Sequence, residues 1–121
     1  LYPGPKEAYE KTAKFDSRIG LCMDVGHTLR IGRDPAEAIR KYGDRLYDMH
    51  IKDVSKAAPD GKTGICGQGV LDLVSVVKAL NDIDYKYIAS FEYEADGNDP
   101  LPGAAQSVGY IRGIQSTLAQ M

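Results

Sequence analysis

The sequence predicts an α/β fold in which three parallel strands alternate with helices in the order αβαβαβα. Three observations predict it. Short runs beginning at Ile19, Arg45 and Tyr85 combine alternating, β-branched and aromatic residues at strand length, whereas the segments between them carry apolar residues at helical spacing. Strict alternation of this kind joins strands by right-handed helical crossovers, which makes the strands parallel. Finally, the runs reach acids or an imidazole at their ends: Asp24, His50 and the Glu92/Glu94 pair.

The elements follow in order. After a Pro3-Gly4-Pro5 turn, Pro5 suits a first helical position, and Ala8, Tyr9, Thr12, Ala13 and Phe15 form one stripe, so a helix runs to about Asp16. The first strand starts at Ile19, and Gly26 to Arg33 reads as a loop. Asp34-Pro-Ala-Glu37 combines a capping acid, a proline at the first position and a carboxylate three residues after the cap, opening a helix to about Tyr42. Gly43 stops it, and Arg45 to Asp53 forms the second strand. Val54 to Gly69 is a long polar loop with Pro59-Asp-Gly61 and Gly64, Gly67 and Gly69 as turn signals, long enough to suggest a functional loop. Asp72 caps a helix carrying Leu73, Val76, Val77 and Leu80. Tyr85 to Glu94 is the third strand. A Gly/Pro/Asn loop then leads to a helix bearing Ala104, Ala105, Val108, Ile111, Ile114 and Leu118.

Composition narrows the function. The chain has 121 residues, enough for one domain with a modest core. A formal charge of −2 without a basic run gives no footprint for nucleic acid or an anionic membrane. No apolar run reaches the roughly 20 residues of a membrane span, and no signal peptide opens the chain. Cys22 and Cys66 are too few for a disulfide framework and are expected to be thiols. The start at Leu1, without an initiating Met, suggests a segment of something longer.

Parity locates the chemistry. In parallel strands the carboxyl ends share one edge, where ligands bind in α/β folds. Gly20, Cys22 and Asp24 share one face of the first strand, Asp48, His50 and Lys52 one of the second, and Ser90, Glu92 and Glu94 one of the third. The opposite faces carry Leu21, Met23, Tyr47, Met49, Ile51, Tyr87, Ala89 and Phe91, which suit packing under helices. The polar faces suit the inside of a narrow barrel. A carboxylate ending so apolar a run as Ile19 to Asp24 needs a cation, donors or water. Asp24, His50 and Glu92 together make a hard oxygen and nitrogen ligand set, appropriate to one Mn²⁺, Mg²⁺, Co²⁺ or Zn²⁺ ion and to no organic cofactor.

Leu21-Cys-Met-Asp-Val-Gly-His27, Met49-His-Ile-Lys-Asp53, Gly67-Gln-Gly-Val-Leu-Asp72 and Phe91-Glu-Tyr-Glu94 resemble, in order, the C-terminal part of the xylose isomerase-like TIM barrel superfamily, near the sugar (phosphate) isomerases and epimerases, inosose dehydratases and ketose 3-epimerases. The resemblance implies a partial (β/α)8 barrel over residues 1–121, with the three strands as its sixth to eighth. It implies Asp24, His50 and Glu92 as metal ligands, with a further ligand from a fifth strand upstream. It also implies proton transfer next to a sugar carbonyl through a metal-stabilised enediolate, with Glu92 as an acid/base group and His27 on a substrate oxygen. Lys52 is a candidate contact to a substrate hydroxyl or phosphate. The implied partner is a small sugar or sugar phosphate, with homo-oligomerisation or association with an N-terminal half covering the open strand edges.

Other readings stand beside these. Asp24 could cap the segment that follows it, His50 could be an interior histidine, and His27 and Lys52 could be ordinary rim residues. Glu94 competes with Glu92, and Asp53 reads as structural. Gly67-Gln-Gly69 could cradle a phosphate, but a turn is the simpler role, and the tyrosines are too scattered for a stacking platform. Two rival functions are an abasic-site endonuclease of the same superfamily, disfavoured by two histidines and a negative charge, and a non-catalytic α/β fragment that binds a partner.

Overall fold

The computed structural model describes residues 4–121, so the Pro3 end of the expected opening turn lies outside the described residues. Helix α1 (Pro5–Thr12) starts with proline at its first position, as expected, and stops short of Asp16. The Arg45 guanidinium accounts for that stop. Its Nη1 donates to the carbonyls of Thr12 at 3.0 Å and Ile19 at 3.0 Å, gathering the intervening residues into turns.

Strand β1 (Leu21–Asp24) follows, and the expected loop after it is instead a short helix, α2 (Val25–Arg30). Asp24 caps that helix, its Oδ1 accepting from the His27 N–H at 2.8 Å, while Thr28 Oγ1 donates to the Asp24 carbonyl at 2.7 Å. Helix α3 (Pro35–Tyr42) opens as its sequence requires: Asp34 Oδ1 accepts from Ala36 N–H at 2.8 Å and Glu37 N–H at 3.1 Å. A 3-10 turn over Gly43–Arg45 leads into β2 (Leu46–Ile51).

Beyond β2 the expected loop contains a small antiparallel hairpin, β3 (Asp53–Val54) with β4 (Thr63–Gly64). Asp72 then caps α4 (Leu73–Asp82), accepting from Ser75 N–H at 2.9 Å. Strand β5 (Ile88–Phe91) is shorter than the expected Tyr85 to Glu94, and α5 (Leu101–Leu118) closes the chain.

The sheet order is β1-β2-β5, and both pairings are parallel, as alternation demands. One face is the core: Leu21, Met23, Met49 and Ile51 are buried against Ile39 of α3 and Val76 and Ala79 of α4. Burying each of the larger of these side chains contributes on the order of 1.5–3 kcal/mol. The opposite face carries Cys22, Asp24, Asp48, His50 and Ser90. Tyr87 and Ala89, expected to pack, are exposed instead. Tyr87 meets Tyr47 and Tyr85 in edge-on contacts at 5.2 and 5.7 Å, so these three tyrosines cluster near the start of the strands, away from the acidic rim. Among the described residues, β1 and β5 each have one unpaired edge, and Ile88 on β5 is 72% exposed.

Candidate functional site

Register assembles the rim. Asp24 stands opposite His50 in the β1–β2 ladder, and Phe91 opposite Ile51 in the β2–β5 ladder. Glu92 lies one residue past the last strand pair, and its N–H donates to the Ile51 carbonyl at 3.0 Å, which carries the ladder one step further. Its carboxylate turns back to His50, with Oε2 3.3 Å from Nδ1. Asp24, His50 and Glu92 thus each offer a ligand atom, all within 4.8 Å of one another. Donors bound to one ion at about 2.0–2.2 Å are separated by roughly 3–3.5 Å, so small side-chain adjustments suffice for the three to hold a divalent cation.

Lys52 completes the charge pattern. The ladder ends at Ile51, and Lys52, the next residue, is enclosed on the side of the acids and only 1% exposed. Its Nζ is 3.0 Å from Asp24 Oδ2, 2.5 Å from Glu92 Oε2 and 2.5 Å from Glu94 Oε2. Burial alone depresses an ammonium's pKa, but hydrogen bonds to Glu92, Glu94 and Asp24 outweigh it and hold Lys52 above the ordinary lysine value. Lys52, expected as a candidate substrate contact, has its ammonium enclosed and engaged by protein carboxylates. One ammonium against three carboxylates leaves a net charge of −2 at the rim, which favours a divalent cation.

The same field reaches Cys22. Burial raises its thiol pKa, and Asp48, Asp24 and Glu92 push it further in the same direction. With Asp48 and His50, Cys22 forms a second group of clustered donors that shares His50.

His27 reaches the rim from α2, 61% exposed, with Nε2 3.8 Å from Asp24 Oδ2. Its other ring nitrogen, Nδ1, faces Arg30 Nη1 at 3.3 Å. A guanidinium can only donate, so this contact requires a lone pair on Nδ1 and places the ring proton on Nε2, facing the cleft. Asp24, His27, Thr28, Arg30, Ile31, His50, Pro59 and Glu92 surround a cleft of about 570 Å³. Arg30 was missed by the sequence reading because it fell in the supposed loop. The signal for α2 was present in Asp24 itself, a good capping residue three positions before His27.

Gly67-Gln-Gly69 does not offer its amides to a phosphate. Asp53, fully buried, accepts from Gly67 N–H at 2.9 Å and Gly69 N–H at 3.0 Å on Oδ2, and from Val54 N–H at 2.8 Å and Leu71 N–H at 3.1 Å on Oδ1. The segment is a turn pinned beneath the rim, and Asp53 is structural, as the sequence suggests. Glycine is required at position 69, where a Cβ would sit 2.2 Å from Asp53 Oδ1.

Comparison with known proteins places this geometry. An inosose dehydratase of Geobacillus kaustophilus is 30% identical over 93 residues, covering 64% of this chain and 30% of that protein. Among solved structures, a D-tagatose 3-epimerase-like protein superposes over 99% of this chain and 43% of its own, with 20% identity and a TM-score of 0.83. An IolI protein with a bound zinc atom superposes over 93% of this chain and 43% of its own, with 21% identity and a TM-score of 0.75. The chain therefore spans less than half the length of these proteins. The two superpositions show that the parallel β1-β2-β5 sheet and its helices are part of a TIM barrel. The family model described as xylose isomerase-like TIM barrel matches residues 4–114, and the chain belongs to that family.

Proposed function

We propose that this chain carries one side of the active site of a metal-dependent sugar or sugar-phosphate isomerase or epimerase. The observation that supports the reading most is the convergence of Asp24, His50 and Glu92 on one point of the rim, in a field with two uncompensated negative charges. Relatives that act on inosose or resemble tagatose epimerase favour a polyhydroxylated ketone as substrate. The zinc of the IolI structure favours a divalent cation among Mn²⁺, Mg²⁺, Co²⁺ and Zn²⁺.

In this reading Asp24 and His50 hold the cation, and Glu92 both binds it and exchanges the proton next to the substrate carbonyl. When bound, the cation supplies positive charge that lowers the cost of the enediolate. His27 donates its Nε2 proton to a substrate oxygen. Asp24 is fixed for its task from both sides, with the His27 amide on Oδ1 and Lys52 on Oδ2. Both glutamates contact Lys52, and Glu92 is preferred to Glu94 as the proton carrier because it alone of the two also contacts His50. Removal of a proton beside a ketone also begins a dehydration, so the likeness to an inosose dehydratase fits the same first step. The unpaired edges of β1 and β5 are covered, in this proposal, by the remainder of a barrel or by a second copy.

The test is metal content. Asp24→Ala and His50→Ala in the full chain are expected to abolish retention of a divalent cation while circular dichroism stays unchanged. Unaltered metal stoichiometry in both variants removes the assignment.

A further inference from the structure

A second cavity, of about 560 Å³, opens beside the cation cleft and shares His27 and Arg30 with it. Its other walls are Gly61, Lys62, Thr63, Glu94 and Ala95. The two cavities share a wall: Asp24, His50 and Glu92 line the first, Lys62, Thr63 and Glu94 the second, and His27 and Arg30 stand between them.

Neither cation is paired with a carboxylate among the described residues. The side-chain contact of Arg30 is with His27 Nδ1, and its Nε is sealed from solvent with no acceptor at all. An unsatisfied guanidinium N–H is costly, and such a group calls for an explanation. Lys62 is placed by the hairpin: its amide donates to Ser55 Oγ at 3.0 Å, and its carbonyl accepts from the Ser55 amide at 2.8 Å. That backbone tether holds the root of an exposed, flexible side chain at the second cavity. Glu94, the carboxylate on this wall, is engaged by Lys52 at 2.5 Å. Lys52 is shared with Asp24 and Glu92, so Glu94 is only partly compensated, but among the described residues no carboxylate lies within ion-pair distance of Arg30 or Lys62.

We propose that Arg30 and Lys62 form an oxyanion subsite. The substrate is then a keto sugar bearing a phosphate or a carboxylate remote from the carbon that exchanges its proton. A guanidinium presents a planar fork to either anion, a second cation adds charge, and Thr63 supplies a hydroxyl at the same wall. A neutral sugar needs no such pair of unpartnered cations. This deepens the sugar-isomerase reading and rests on it.

The experiment is isothermal titration of the Mg²⁺-loaded full chain with inorganic phosphate and, separately, with glucuronate, which reads the subsite without turnover. Wild type is expected to bind one of them, and which one binds distinguishes a phosphorylated from an acidic sugar. Arg30→Met is expected to weaken that binding about tenfold and Lys62→Met about threefold to fivefold, with Arg30→Lys in between. Mg²⁺ stoichiometry is expected to stay unchanged in all three. If Arg30→Met does not fold, Lys62→Met and Arg30→Lys carry the test. Binding of neither anion by wild type, or binding that the folded variants leave unchanged, overturns the subsite. Loss of the sugar-isomerase reading would show separately, as Mg²⁺ retention that survives Asp24→Ala.

Discussion

Lys52 Nζ and Glu92 Oε2 are 2.5 Å apart, joining a fully enclosed ammonium to the carboxylate that faces His50. The pair links the inner fold to the reactive edge, because Lys52 also holds Asp24 and Glu94.

Replacing Lys52 by Met is expected to destabilise the protein by about 3 kcal/mol, since it strands three carboxylates around an apolar side chain. Urea unfolding at neutral pH measures the loss. The raised Lys52 pKa sets the sign in alkali. Its contribution is fully present below the unfolded lysine value of about 10.4 and is lost as pH climbs through the higher folded value.

Gly26 makes room for that lysine. A Cβ there would meet Lys52 Cγ at 2.6 Å and Cδ at 2.9 Å, within a buried stem that has little freedom to yield. Gly26→Ala is expected to cost about 1–3 kcal/mol. Combined with Lys52→Met it is expected to cost less than the sum of the two single changes, a coupling read from a double-mutant cycle.

Asp53→Asn retains the shape of the side chain but substitutes an NH₂ group, itself a donor, for one oxygen. The four amides that converge on the carboxylate can no longer all be satisfied, and a loss of about 2–4 kcal/mol is expected. Hydrogen exchange is expected to accelerate at Gly67, Gly69 and Leu71 while the amides of β2 remain protected.

The two thiols are expected to separate cleanly in alkylation. Cys66 is 3% exposed, and burial, helped by the Asp53 charge, pushes its pKa up to about 12. Cys22 lies open to the cleft and is expected to label in the native state, with Cys66 reacting only on unfolding. Because the folded pKa of Cys66 lies above the unfolded value of about 8.5, its contribution is intact below that pH. It falls away as pH rises toward about 12. Urea midpoints measured from pH 8 to 10 are expected to decline more gently in Cys66→Ala.

The parallel sheet and the grouping of Asp24, His50 and Glu92 were legible because strand parity and the shared carboxyl edge follow from period-two geometry alone. Parity put Lys52 on the same side as Asp24, Glu92 and Glu94, which it contacts, but could not show that those three carboxylates would enclose it. It also failed to reveal α2. Gly26, His27 and Thr28 are weak helix formers, and the helix exists because Asp24 caps it and Val25, Gly26 and Thr28 are buried against the fold. With that helix unseen, Arg30 could not be placed between the two cavities. Asp53 was recognisable as structural, but its four amide partners extend as far as Leu71, a distance no local pattern encodes.

The hairpin rooted in Asp53 divides labour along one segment. Its base is locked by a single carboxylate, whereas Lys56 to Lys62 at the tip are held by the Lys56–Asp60 pair, turn contacts and the two bonds between Lys62 and Ser55. Changes at the tip can therefore be absorbed without unravelling the base, so this short arc can be reshaped independently of the sheet it rises from.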